Sequence, residues 1–587
     1  MRALALVVTV VVIGACGKAA PVQGVVLPSA LTSNVLRADY VGSSACADCH
    51  ADLYKAWSVS PMRNMTRDAA TAQIRAPFDG ASLQVGSDTC TMTMDGAKRV
   101  MRVTSPKGDH TFHVTKVIGG RYREDFVGVE DGSPTERVLP ATYVFSTKTW
   151  RYKGYSVMVK ERPLMSWQGE WSKECIGCHN TLPASTMLYD ELYGPGLPAY
   201  QGKLSDRVLP PNKNWPTYTR NSDGLGKALD EEIAFLGAPP VTPATGDVRV
   251  KLPAAAAAME KHLDGNHLVE LGVGCEACHN GARVHSAEPT VLPEFAQRTP
   301  LFSVDPPKGQ TGTRAQWINH TCAKCHTVLF TRYPFTWEGG LRLKSPGGSS
   351  ISSGEGRDYQ LGGCSSAMAC TTCHDPHAED PKAKLDAMAT PAGNHLCTTC
   401  HAPYATDAAV EKHTHHKLGS AGTACIACHM AKKNMGLDYV LNRYHRIGSP
   451  TDPKRVEKDR PLECALCHAD KSVDALVTTM EQWYGKHYDR DALHVLYGDD
   501  LSVNVMRATL MRGKPHEQAV AIATFGELHD RTEVAALVPL LAHEYPLVRY
   551  FVQRALQHIT GDPVAIDIGA PAATVRSAAD AWLAAHR

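Results

Sequence analysis

The sequence predicts a mainly helical and irregular chain that carries one small antiparallel β insertion and ends in a cap of helical repeats. Alternating apolar residues surround Asp-Gly turns between residues 80 and 165, and a 3.6-residue apolar period appears after about residue 500. Only 11 of the 587 residues are Phe. A chain of this length with so few large apolar rings must fill its interior with other groups, and bound cofactors are the expected filler.

The β insertion is expected at residues 80–165. Apolar and polar residues alternate on either side of Asp95-Gly96 and again around Asp131-Gly132, and a third turn is expected at Lys107-Gly108. Alternation around such turns is typical of an antiparallel meander. The predicted strands are 89–94, 98–104, 111–117, 125–129 and 137–145.

Residues 500–587 are expected to be helical and contain no Cys. One apolar helical face is formed within 534–541 and a second within 548–559, with Pro546 between them and Gly561 after the second. Paired helices of this kind resemble HEAT repeats, and they serve either as a plain cap or as a docking surface for a partner. Residues 340–363, rich in Gly and Ser, are expected to form an exposed loop.

The N-terminus predicts export. Residues 1–16 combine a basic start with an apolar run too short to span a bilayer, and the run ends in a lipobox-like Ile13-Gly14-Ala15-Cys16. We expect a lipid anchor on Cys16 and a periplasmic or cell-envelope location; the alternative is ordinary cleavage near Ala19 or Ala20. The 61 basic and 60 acidic residues give no indication of nucleic-acid binding, so membrane contact is expected through the lipid alone.

Sixteen of the 19 Cys belong to one pattern, C-x-x-C-H, which occurs eight times. Eight copies exclude coincidence. We number the sites 1 to 8 in chain order. They are Cys46/Cys49/His50, Cys175/Cys178/His179, Cys275/Cys278/His279, Cys322/Cys325/His326, Cys370/Cys373/His374, Cys397/Cys400/His401, Cys425/Cys428/His429 and Cys464/Cys467/His468.

This spacing suits covalent haem attachment. Two thiols separated by two residues reach the two vinyl groups of one porphyrin, and the next residue, His, then lies under the iron as its proximal ligand. Zinc ribbons and disulfide frameworks also use paired Cys, but neither requires the fixed His. We therefore expect eight covalently attached haem c groups. Cys90 and Cys364 remain, either joined in a disulfide or with Cys364 packed beside the haem of site 5.

A low-spin haem needs a sixth ligand, usually His or Met. Of the 27 His, eight are proximal, and several of the others crowd close to the motifs. A His so close to a motif reaches its own porphyrin poorly and is expected to ligate a neighbouring haem. Met62 is expected to cap haem 1 and raise its potential, or only to pack against it. The distal candidates are Met62, His285, His320, His377, His395, His413, His415, His416 and His445.

The chain is thus expected to contain a site 1 segment at 40–79, the β insertion at 80–165, a domain with sites 2–8 at 166–499 and the helical cap at 500–587. Several motif-flanking stretches resemble exported multihaem c-type cytochromes with doubled C-x-x-C-H motifs, which often end in helical repeats. These stretches include 273–279 with His285, 370–377, and 425–430 followed by Tyr444-His445-Arg446. The resemblance implies periplasmic electron transfer and supports His285, His377 and His445 as distal ligands. The family usually has a His at the position of Met62.

Two functions fit these features. The first is an electron conduit that links a membrane quinol-linked complex or other cytochromes to a terminal acceptor. The alternative is an oxidoreductase that acts on nitrite, hydroxylamine or tetrathionate at one five-coordinate haem. The sequence leaves open whether the protein is an enzyme. The supply of candidate ligands favours the electron carrier.

Overall fold

The computed structural model describes residues 33–193, 209–241, 248–327 and 333–586, apart from 343, 346 and 353. The predicted export segment and Cys16 lie outside these residues. The described chain combines an antiparallel sheet, a central region of short helices and turns, and a C-terminal group of helices. Among the described helices, none has both the length and the apolar character needed to cross a membrane.

The expected antiparallel insertion is present as an eight-stranded sheet. Strands β2 to β8 pair in chain order, each antiparallel to the next, and β1 pairs with β5. At the β3–β4 turn Gly96 has a φ of 57°, a left-handed conformation that glycine adopts without steric cost. The strands are β1 Thr66–Asp68, β2 Ser82–Val85, β3 Asp88–Asp95, β4 Lys98–Ser105, β5 Gly108–Gly119, β6 Arg123–Glu130, β7 Glu136–Val144 and β8 Thr149–Tyr152.

One face of this sheet forms an apolar core. Along β3 every second residue is buried, and Cys90, Met92, Met101 and Phe112 are all fully buried. This two-residue period places the apolar side chains on one face of the pleat. Cys90 belongs to this interior, with its Sγ 3.8 Å from the Sδ of Met92, and no described Cys is in a disulfide.

Most longer helices begin with a side-chain cap. The Asn221, Ser472 and Asn504 side chains accept from backbone N–H groups in the first turn of their helices. The described helices of eight or more residues are α1 Ala51–Ser58, α2 Ala184–Tyr193, α3 Ser222–Phe235, α4 Val248–His262, α5 Arg314–Ala323, α6 Asp407–Thr414, α7 Val473–Tyr484, α8 Arg490–Tyr497, α9 Val505–Arg512, α10 Pro515–Glu527, α11 Pro546–Thr560 and α12 Ala572–Ala585.

The C-terminal helices differ from expectation in two respects. Helix α11 matches the predicted second helix and ends at Gly561, but its predicted partner is only one α-helical turn, Val534–Leu537, followed by a 3₁₀ segment. Pro539 lacks the N–H that an α-helix needs there. The helical part also begins at Val473, earlier than residue 500. The HEAT-like character of this part stays a prediction.

The prediction of an exposed loop at 340–363 is wrong for the second half of this segment. Ser349, Arg357 and Asp358 are almost fully buried, and Glu355–Leu361 is helical. The Arg357 guanidinium donates to the Gly347 carbonyl and to Asp358, and Asp358 accepts from the Ser349 N–H at 2.8 Å. These charged side chains satisfy loop backbone groups that water would otherwise solvate, so the segment packs inside the protein.

The Arg357–Asp358 pair gives a stability prediction. Burial raises the pKa of Asp358 to about 7, and Arg357 opposes that rise. Arg357→Met should destabilise the protein by about 3–5 kcal/mol, because it leaves a buried carboxylate without its cation. The pKa of Asp358 in the folded state then rises further above its unfolded value, so the loss should be larger at pH 8 than at pH 6.

Urea unfolding of the mature protein at both pH values measures this effect. Arg220→Met is the matched control, since Arg220 and Asp305 form a pair 3.5 Å apart that is largely exposed. Its cost should stay below about 1 kcal/mol. Equal losses for the two variants would contradict the prediction.

Candidate haem sites

All eight C-x-x-C-H sites open into one continuous cavity. Its volume is about 4510 Å³, and its lining includes the His and the first Cys of every site. Pockets for single small ligands usually measure about 300–1,000 Å³. The cavity therefore has room for several large groups, and motifs far apart in the chain converge on it.

Each motif forms one tight turn. In sites 1 to 6 and 8 the backbone N–H of the His donates to the carbonyl of the first Cys at 2.9–3.1 Å. In site 7 the whole motif lies in the helix Cys425–His429. Residues three and four apart share a face of such a turn, so the turn brings both thiols and the imidazole to one side of the backbone. This arrangement suits attachment of one planar group by two thioethers with a His beneath it.

The second thiol of two sites differs from the rest. Three motif thiols are exposed, and one of them, Cys400 of site 6, lines the cavity. Cys49 of site 1 and Cys467 of site 8 do not line it in the part of the chain that the structure describes, whereas the other fourteen motif cysteines do. Both lie at the protein surface, where solvent rather than protein covers the outer end of the turn. Their thioether bonds to haem stay a prediction.

A second imidazole faces the motif His in five sites. The ring centres lie 5.9–6.2 Å apart, which leaves room for one metal ion about 2 Å from a nitrogen of each ring. The pairs are His50–His285, His279–His377, His374–His445, His413–His429 and His416–His468. This spacing fits an iron with two His ligands at sites 1, 3, 5, 7 and 8.

A family model described as "Doubled CXXCH motif" matches residues 365–406, which contain sites 5 and 6. No curated protein matches the chain. Among solved structures, an outer cell wall cytochrome, OcwA, aligns over 93% of this chain and 100% of its own, with 15% identity and a TM-score of 0.35. Neither fold nor function follows from a likeness that distant.

Hydrogen bonds orient several imidazoles of the candidate haem sites. The Nδ1 atoms of His285, His416, His429 and His445 lie 2.6–3.1 Å from backbone carbonyl oxygens. Because a carbonyl only accepts, each Nδ1 must carry the proton, and the Nε2 lone pair is left for a metal. The fold thus selects the tautomer that haem ligation requires.

Burial favours the neutral form of five imidazoles at these sites. It lowers the pKa of His279 and His374 to about 4, and it also lowers the pKa of His413, His429 and His445. A neutral imidazole is the form that binds a metal, so no proton competes for these nitrogens at neutral pH.

Site 4 has a different electrostatic setting. The Nδ1 of His326 lies 3.7 Å from Oε2 of Glu355, and that neighbouring carboxylate raises the pKa of His326 to about 9. The other oriented imidazoles donate to backbone carbonyl oxygens, whereas the imidazole of His326 lies beside the carboxylate of Glu355. A carboxylate in this position increases the basicity of a ligating imidazole.

Four distal candidates do not stand opposite a motif His. Met62 lines the cavity, but His285 is the side chain that faces His50. His320 stacks on Trp215 with ring centres 4.4 Å apart, and His415 stacks on Trp483 at the same distance. The Nδ1 of His395 bonds to the Ala392 carbonyl. Within the described residues these three His are not part of the cavity lining.

Sites 2, 4 and 6 have no stacked second imidazole among the residues that the structure describes. At site 2 the Nδ1 of the motif His179 is buried without a hydrogen-bond partner, and burial lowers the pKa of this His to about 4. No sequence signal separated these three sites from the other five, because surplus His residues occur near sites 4 and 6 as well.

Motif thiols link the sites into a network. Thiols of different sites are close neighbours in the pairs Cys46–Cys275, Cys178–Cys325, Cys322–Cys370 and Cys397–Cys425. Longer-range electrostatic contacts join Cys278 to Cys322, Cys373 to Cys397, and Cys428 to Cys464. Sites 1, 3, 4, 5, 6, 7 and 8 thus follow one another in space, and site 2 branches from site 4. Apart from site 2, this order is the order along the chain.

Proposed function

We propose that the protein is a multihaem c-type cytochrome that binds eight haems covalently at sites 1 to 8 and relays electrons among them. The observation that carries this proposal is the convergence of all eight motifs on one cavity, with thiols of neighbouring sites close together. Haem iron supplies one-electron chemistry, and close spacing favours its use as a relay. The chain's own residues would hold the porphyrins, fix the tautomer of several imidazoles and, by burial, favour the neutral form of several ligating imidazoles.

The proposal includes the two thiols that do not line the cavity. Cys49 and Cys467 keep the spacing that two vinyl groups of one porphyrin require, and the first Cys and the His of their sites line the cavity. We therefore assign them as the second thioether residues of haems 1 and 8, with that edge of each porphyrin at the protein surface.

Five sixth ligands follow from the imidazole pairs. We assign His285 to site 1, His377 to site 3, His445 to site 5, His413 to site 7 and His416 to site 8. Each lies outside the motif that it faces, and its ring centre is 5.9–6.2 Å from the motif His. Met62 then packs in the cavity without ligating iron.

The cellular setting is proposed from the sequence. Residues 1–16 support export with a lipid anchor on Cys16, which places the protein in the periplasm or cell envelope. A conduit there requires redox protein partners, such as a quinol-linked complex or other cytochromes. The HEAT-like helices from Val473 onward are proposed as a cap on the haem region.

Haem loading and electron transfer test the proposal directly. Intact-mass and haem-content measurements on the mature protein should find eight haems, and Cys370→Ala/Cys373→Ala should leave seven. Cys90→Ala is the matched control and should retain all eight, because Cys90 lies in the sheet core. The reduced protein should be fully reoxidised by a soluble cytochrome c. A polypeptide mass without haem, or turnover of nitrite, hydroxylamine or tetrathionate, would contradict it.

The ligand of haem 1 can be tested by exchanging side chains. His285→Met should raise one midpoint potential on the order of 100 mV, since axial ligands tune haem potentials over roughly 0.8 V and Met favours ferrous iron. Met62→His should leave every midpoint unchanged. Potentiometric titration followed in the Soret band measures the midpoint potentials of both variants. If Met62→His lowers the highest midpoint potential, Met62 rather than His285 is the sixth ligand of haem 1.

The Glu355 carboxylate should lower the potential of haem 4, because its charge strengthens His326 as a donor to ferric iron. Glu355→Gln should raise one midpoint by about 60 mV, a tenfold change for a one-electron couple. Glu231→Gln, at an exposed position, is the control and should shift no midpoint. Unchanged midpoints in Glu355→Gln would show that the carboxylate does not act on the iron.

A further inference from the structure

Two asparagines make the same contact at two different junctions between sites. Asn319 and Asn394 each stand three residues before the first Cys of their site, in the shared pattern N-H-x-C-x-x-C-H. The Oδ1 of Asn319 accepts from the backbone N–H of Cys370 at 2.8 Å. The Oδ1 of Asn394 accepts from the N–H of Cys425, also at 2.8 Å. Each Asn side chain thus binds the backbone of the first Cys of the next site; we call such a junction gripped.

The amide nitrogen of each carboxamide donates to the segment just before the same Cys. The Nδ2 of Asn319 donates to the Met368 carbonyl at 3.0 Å, and the Nδ2 of Asn394 donates to the Thr423 carbonyl at 2.7 Å. Both carbonyls lie two residues before the gripped Cys. A planar carboxamide offers a donor and an acceptor side by side, so it can fix both groups at once. The matching register at both junctions indicates one common device.

A third junction has the same two contacts from two different side chains. Ser43 stands three residues before Cys46, and its Oγ accepts from the N–H of Cys275 at 2.9 Å. The Nε1 of Trp57 donates to the carbonyl of Val273, two residues before Cys275, at 3.1 Å. Ser43 and Trp57 are buried, as is Asn319. The acceptor and the donor are therefore both retained at sites 1 and 3 without an Asn.

Three of the four close thiol pairs lie at these junctions. The first Cys of site 1 reaches that of site 3, and the same holds for sites 4 and 5 and for sites 6 and 7. These hydrogen bonds tie the segment before the first Cys of one site to the backbone of the first Cys of the neighbouring site. They thereby fix the distance between the sulfur atoms of these two cysteines. Hydrogen bonds to buried backbone groups are retained because their loss leaves both partners unsatisfied.

We propose that Asn319, Asn394 and the Ser43–Trp57 couple are positioning residues that build three equivalent two-haem units, 1/3, 4/5 and 6/7. This inference rests on the proposed function, because it assigns the geometry of haems at those sites. Within a unit the porphyrins are held in a fixed, close arrangement by the protein backbone. Site 2 adjoins unit 4/5 at site 4, and site 8 adjoins unit 6/7 at site 7.

Circular dichroism in the Soret band tests the proposal, because adjacent haems in a fixed arrangement give a bisignate signal that depends on their separation and orientation. Asn394→Ala should bind eight haems by mass and lose part of that signal. Asn394→Ser keeps a side-chain acceptor and removes the carboxamide N–H donor, which leaves the situation of Ser43 without Trp57. This variant should lose less of the Soret signal. Asn64→Ala is the matched control, since Asn64 donates to two carbonyls within a single segment, those of Ser58 and Ser60.

The outcomes separate this inference from the proposed function. Wild-type protein without covalently bound haem would overturn the proposed function itself. Eight haems in Asn394→Ala with an unchanged Soret signal would overturn the positioning role alone. If Asn394→Ala fails to accumulate, Asn394→Ser decides: an unchanged signal with full haem content contradicts the proposal, and a reduced signal supports it.

Discussion

The structure depends on one local constraint, the tight turn that brings two thiols and an imidazole to the same side of the backbone. The His N–H to Cys carbonyl bond recurs at 2.9–3.1 Å in seven sites and sets this geometry without help from distant residues. Every larger feature follows from where eight such turns point. Because the His and the first Cys of all of them face one cavity, the polypeptide around them consists of short helices and loops whose main role is to orient the turns.

The long-range pairing of imidazoles adds the second level of order. Each distal His comes from a segment between or beside other motifs, so the partner of one site lies on the backbone of another. His377 is only three residues from the motif His of site 5, yet it faces His279 of site 3. A short tether of this kind ties two sites together, and hydrogen bonds to carbonyl oxygens hold most of the distal rings in place.

The sequence was informative wherever a local pattern determines the structure. The motif turns follow from five consecutive residues, and the strands around Asp95-Gly96 follow from alternation and a turn that glycine permits. It was less informative about distal partners, because a surplus His near a motif has no local property that distinguishes His285, which faces a motif His, from His320, which stacks on Trp215. Only the family resemblance singled out His285. The buried Arg357–Asp358 pair was missed for a similar reason: glycine and serine nearby suggested a solvated loop, and tertiary hydrogen bonds decided otherwise.

Site 4 occupies a special position in the thiol network. Its two cysteines reach sites 2 and 5, and Cys278 of site 3 lies close to Cys322. Among the described thiol contacts, removing this one site would divide the network into an arm with sites 1 and 3, an isolated site 2 and an arm with sites 5 to 8. In the proposed relay, the Glu355 carboxylate beside His326 therefore influences the reduction potential of the one haem through which electrons pass between these arms.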